Sequence, residues 1–196
     1  QLAELPKTIK NLKQLQVIDL EGNKLIKIPA EIGELSELKV LDLEQNGITE
    51  IPGQISNLTK LEVLDLDSNQ ITKIPYSVGG LYNLKYLYLR DNLIDSLPPE
   101  LKNLTKLEYL YLKNNRLDSN FAKTEFLGHM KRLKILDLSG NKLTKLPNDI
   151  AQIEALKTLK LGQNELESLP ENIGDLQNLE ELDLRGNQLN TLPVSI

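Results

Sequence analysis

The chain has no cysteine and no tryptophan, and its 196 residues include one histidine, one methionine and two phenylalanines. Without cysteine there is no disulfide cap, no thiolate metal site and no cysteine nucleophile. The lone histidine, His129, has no second histidine or cysteine with which to share a metal, and no serine is marked as its catalytic partner. No apolar run approaches the roughly 18 residues of a membrane span. A net charge of −5 argues against general nucleic-acid or anionic-membrane binding. Nothing resembles a phosphate-binding loop, and no cofactor is expected.

What the chain does have is a period. From Leu15 the string Leu-x-x-Leu/Ile-x-Leu-x-x-Asn returns at Leu38, Leu61, Leu84, Leu107, Leu133, Leu156 and Leu179, and its ninth place is Asn23, Asn46, Asn69, Asn92, Asn115, Asn141, Asn164 and Asn187. Self-similarity at this spacing marks a solenoid in which each unit buries its apolar face only against its neighbours. Residues 1–14 read as the second half of an earlier unit, 15–178 as seven full units and 179–196 as a partial one, all in one domain. In Leu15–Glu21 the alternation of period two predicts a short strand with Ile18 and Leu20 inward and Val17, Asp19 and Glu21 outward. Asn23 falls in the following turn, where its amide must find backbone partners in its own and neighbouring coils. The return half opens with Ile/Leu-Pro, and proline presets φ at the start of a short helical or 3-10 turn. The expected architecture is α/β: a curved solenoid with a parallel concave sheet of about eight strands, roughly 34 Å across at about 4.8 Å per strand, and short helical or 3-10 turns on the convex side.

These residues resemble the leucine-rich-repeat family over essentially the whole chain. The subtype is the 23-residue form carried by Leu146-Pro147-Asn148-Asp149-Ile150-Ala151-Gln152-Ile153. It is similar to repeats of bacterial proteins, spirochaete ones included, and of animal and plant intracellular scaffolds of the Ras-suppressor type. The resemblance implies protein binding through the concave face. The missing cysteine caps point to an intracellular protein, a bacterial one or an excised fragment. There is no signal peptide, although a chain that opens mid-repeat could have lost one upstream.

Information about a partner lies in the outward places, which the scaffold does not dictate. The six tyrosines all lie between 76 and 111, and four occupy outward places of two adjacent units: Tyr86, Tyr88, Tyr109 and Tyr111. Strand spacing makes these a two-by-two aromatic patch bordered by Arg90 and Lys113, and tyrosine and arginine dominate binding hot spots. In the first three units the seventh place is acidic (Glu21, Glu44 and Asp67), which suits a basic segment of a partner. Asp19, Asp42 and Asp65 at the fifth place read as a solvated default of the family. In-line carboxylates on a flat sheet do not surround an ion, so no metal site is expected. The unit from Leu107 is irregular over 107–132, lacks the proline and carries Phe121 and Phe126, which should refill the core beneath a bulge or longer helix. His129 reads as a rim or surface residue. The Asn57-Leu58-Thr59 and Asn103-Leu104-Thr105 strings fall at equivalent convex places and read as repeat template rather than glycosylation sites. The reading that follows is a non-catalytic module that recognises a protein partner. A targeting or regulatory arm of a larger enzyme, such as a kinase or ubiquitin ligase, is the alternative. Partner, compartment and oligomeric state are not encoded legibly.

Overall fold

The computed structural model describes all 196 residues. Eight three-residue strands, β1 (Val17–Asp19), β2 (Val40–Asp42), β3 (Val63–Asp65), β4 (Tyr86–Tyr88), β5 (Tyr109–Tyr111), β6 (Ile135–Asp137), β7 (Thr158–Lys160) and β8 (Glu181–Asp183), form one parallel sheet in chain order. Pairing is in register, so Val17 faces Val40 and Tyr86 faces Tyr109. The period of the sequence thus becomes a set of straight rows across the sheet.

The return halves are 3-10 turns throughout, with no α-helix. Six of them begin after a proline in extended conformation: Pro6, Pro29, Pro52, Pro75, Pro98 and Pro147. Each unit must return to its starting point within 23 residues, which leaves room for a tight three-fold turn but not for a helix. Between strands and turns lies a continuous core of 48 buried residues, nearly all leucine and isoleucine. Burying each such side chain contributes about 1.5–3 kcal/mol, and most of that burial comes from the adjacent units.

The asparagines form the expected ladder. The Asn92 Oδ1 accepts from the Ile71 N–H at 3.0 Å, and its Nδ2 donates to the carbonyls of Leu66 (2.9 Å), Leu89 (3.3 Å) and Arg90 (3.0 Å). One amide therefore ties its own turn to the preceding unit, and Asn69 and Asn115 do the same one unit to either side. The residue just before each asparagine is left-handed: φ is +68° at Gly22, +66° at Gly140 and Gly186, and between +53° and +57° at Gln45, Ser68, Asp91, Asn114 and Gln163. A side chain in this region costs about 1 kcal/mol, and the ladder bonds hold it there.

The irregular unit departs from expectation in one respect. A longer helix does not form. Two 3-10 turns, Ser119–Lys123 and Leu127–His129, are joined by an extended link. Asp118 replaces proline as the starter, its carboxylate accepting from the Asn120 N–H at 2.8 Å. Phe121 and Phe126 are buried, 3% and 1% exposed, and refill the core as expected. His129 is exposed, as are Asn57 and Asn103 at the ends of their turns.

Candidate functional site

In-register pairing sorts the outer face of the sheet into rows. The third-place row reads Val17, Val40, Val63, Tyr86, Tyr109 and Ile135 across six strands, then turns polar at Thr158 and Glu181. Val17 is 57% exposed and the next five are half-buried. The apolar stripe is therefore longer than the tyrosine pair alone. Its signal was present in the third place of the first six units, where valine passes for ordinary strand composition.

Tyr86, Tyr88, Tyr109 and Tyr111 come together as a quartet. The rings of Tyr86 and Tyr109 lie 4.6 Å apart and within 4° of parallel, those of Tyr88 and Tyr111 5.2 Å and 5°, and those of Tyr86 and Tyr88 6.3 Å and 7°. Like residues on adjacent in-register strands must stack when they share a rotamer, because strand spacing is close to ring thickness plus contact distance. Each stacked pair adds about 0.5–1.5 kcal/mol beyond its buried area, which favours the stacked arrangement of the four rings. Burial raises the Tyr88 hydroxyl pKa, with Tyr111 and Asp65 adding to it.

Arg90 closes one side of the quartet. Its guanidinium carbon sits 3.8 Å from the Tyr111 ring centroid and 5.8 Å from that of Tyr88. Asp67 holds it there: Oδ2 is 3.5 Å from Nη1, and Oδ1 accepts from the Arg90 backbone N–H. Asp67 is only 6% exposed, so it does not present a free carboxylate as Glu21 does. Lys113 is exposed beside the quartet and makes no ion pair. Glu44 is half-buried on the β2 side, and one of its oxygens accepts from Gln45 at 3.3 Å. Of the nine candidate residues, the four tyrosines, Arg90 and Asp67 form one contiguous unit with Lys113 next to it, while Glu44 lies one unit beyond Asp67 and Glu21 one unit further.

The fifth-place aspartates are not simply solvated. The Oδ1 atoms of Asp19, Asp42, Asp65, Asp137 and Asp183 each accept from the N–H two residues on, at 3.0–3.2 Å. They cap the ends of β1, β2, β3, β6 and β8, as short acidic side chains do. Tyr88 cannot cap, and at that unit Asp67 supplies the acceptor from the neighbouring coil. Burial pushes Asp65 up to about 7, with Asp67, Asp42 and Glu44 adding repulsion against one backbone hydrogen bond. Burial likewise raises Asp67 to about 6, although the Arg90 N–H and guanidinium pull it down.

Both carboxyls hold a proton in the folded chain at pH values where the unfolded chain, near 3.9, has released it. Stability should therefore fall as pH rises from about 4 to about 7. After discounting for solvent screening the loss should be roughly 1–2 kcal/mol. Asp65→Asn keeps the capping oxygen, so it should raise stability at pH 8 and flatten the profile. Urea melts at pH 5 and pH 8 check this. An unchanged slope in the variant would clear Asp65 of the effect.

A family model described as a leucine-rich repeat region matches residues 30–146, and leucine-rich-repeat models also match residues 131–189 and 14–35. The chain belongs to the leucine-rich-repeat family. Its fold is similar to that of a leucine-rich-repeat protein of Leptospira interrogans, with 38% identity and a TM-score of 0.93 over 99% of this chain and 49% of that one. It is similar to the plant peptide hormone receptor RGFR1, solved in complex with RGF2, at 35% identity and TM-score 0.86 over 95% of this chain and 31% of the receptor. The ectodomain of the Arabidopsis thaliana receptor kinase GASSHO1/SCHENGEN3, in complex with CASPARIAN STRIP INTEGRITY FACTOR 2, is 33% identical with a TM-score of 0.85, over 97% of this chain and 25% of that one. The chain spans about half the length of the Leptospira protein and a third or less of the two receptors. A comparison with curated proteins finds no match. Repeat proteins of this fold thus include ones that bind protein or peptide partners. No helix is long and apolar enough to cross a membrane.

Proposed function

We propose that this leucine-rich-repeat chain is a non-catalytic recognition module that holds a protein partner on the outer, concave face of its sheet. The tyrosine quartet is the anchor, Arg90 and Lys113 contact the same segment, and the acidic side of the face, Glu21 and Glu44, meets a basic stretch of the partner. One observation carries this reading. Four half-buried tyrosines are stacked and clamped by an arginine at the middle of a regular surface. The fold does not need them, since valine or isoleucine and aspartate hold the same places in other units. A rigid aromatic cluster loses little freedom on binding, which is what concentrates affinity in a hot spot. Complexes of similar receptors with peptide ligands support the partner class.

The test is partner capture by wild type and by Tyr86→Ala/Tyr109→Ala, each first shown to melt with a native transition. The double variant should bind the recovered partner about ten- to a hundredfold more weakly. Undiminished recovery would remove the quartet from the function.

A further inference from the structure

Past the quartet, the same face holds a depression of about 360 Å³ with no hydrophobic residue in its lining. Along the seventh-place row the residues run Lys113, Ser139, Gly162 and Arg185, so two small residues lie between two long cations, with Lys160 alongside. A Cβ at Gly162 would approach the Asp183 carboxylate to 3.1 Å, so this glycine keeps the space open.

The acids in the lining are already engaged. Asp137 is buried and accepts from the Ser139 N–H at 3.0 Å. Asp183 accepts from Nε, Nη2 and the backbone N–H of Arg185 at 2.9, 2.8 and 3.1 Å, and these bonds pull its pKa down to about 2. The cations retain free donors. Lys113 has no ion pair, and the Nη1 of Arg185 has no partner on a side chain 86% exposed. Lys160 has only a 3.4 Å contact with Glu181.

We propose that this depression is a second subsite, which takes carboxylate side chains from an acidic stretch of the same protein partner. It rests on the concave-face reading and adds a direction to it. The seventh-place row is acidic over β1–β3 and carries no acid from β4 onward, where Arg90, Lys113 and Arg185 are its charged members, with Asp67 and Arg90 paired at the change of sign. A bound segment therefore lies across the strands with its basic part over β1 and β2, its middle on the tyrosines and its acidic part between Lys113 and Arg185. Charge order at such a face governs orientation and rejects the reversed pose more than it adds affinity.

The subsite can be read without the natural partner. Acetylated, amidated tetraglutamate should shift the backbone amides of Ser139, Gly162 and Gln163 in a nitrogen-15 correlation spectrum, and tetralysine should leave them unmoved. Gly162→Val fills the depression without altering a charge, and Lys113→Glu alters the charge without filling it. Each should weaken tetraglutamate binding by about tenfold or more. Ser139→Leu repeats the filling test if Gly162→Val loses its native spectrum. The proposal is overturned if tetraglutamate moves none of these amides. It is equally overturned if the filled variants bind like wild type, since attraction would then be general surface charge. Neither result bears on the tyrosine anchor, which the capture experiment scores by itself.

Discussion

Asn92→Ala should lower the unfolding free energy by about 3–5 kcal/mol, a large share of the total for a chain of this size. The asparagine is 4% exposed and makes four hydrogen bonds to backbone. These bonds are not equivalent. The carbonyls of Leu66, Leu89 and Arg90 each keep another donor, from Asn69, Asn115 and the Ser68 N–H. The Ile71 N–H keeps none. One orphaned buried donor costs about 1–3 kcal/mol, and the three second bonds add about 0.5–1 kcal/mol each. Asn187→Ala, at a half-buried rung, should cost about half as much. Urea titrations followed by circular dichroism check both, and equal costs at the two positions would show that burial does not set the value of a rung.

Phe126→Ala should cost about 3–5 kcal/mol, the range for deleting a fully buried ring. The reason lies in the register of the irregular unit. Counted forward from Leu107, the inward place taken elsewhere by Ile28 falls on Asn120, and counted back from Leu133 it falls on Lys123. Both are exposed. Phe126, 1% exposed, and Phe121, 3% exposed, fill the space that neither can. Phe126→Leu should restore most of the stability. Hydrogen exchange should show the loss concentrated at the amides of 118–130 and in the turn at Asn148–Gln152 beyond it. Protection lost evenly along the chain would mean that the unit is not a local module.

The tyrosine patch was legible because three facts sufficed for it. Alternation put residues 86, 88, 109 and 111 outward, the period put them side by side, and parallel pairing preserved that order. The apolar row through Val17, Val40 and Val63 obeyed the same rules but stood out less, since valine is what a strand contains anyway. The grip of Asp67 on Arg90 was not legible. In sequence the two are simply acid and base at the same place of successive units, and both looked available to a partner. Likewise, the capping bond from Asp65 to its own turn depends on a side-chain rotamer, which periodicity does not specify. The depression at Ser139 and Gly162 is an absence of side chain, and it becomes a shape only when Lys113 and Arg185 stand on either side of it.

The sequence by itself determined the solenoid, the order and register of its strands, the core and the asparagine ladder. Each of these follows from a repeat whose apolar and amide groups find partners only in an identical neighbour. Tertiary structure alone decided which outward groups remain free. Asp67 is withdrawn from the solvent-facing surface, burial pushes the Asp65 carboxyl up to about 7, and the Arg90 guanidinium is held over the Tyr111 ring. These outcomes depend on desolvation and on distances of a few ångströms between side chains in successive coils. No single unit contains either quantity, and both arise only once the coils are stacked.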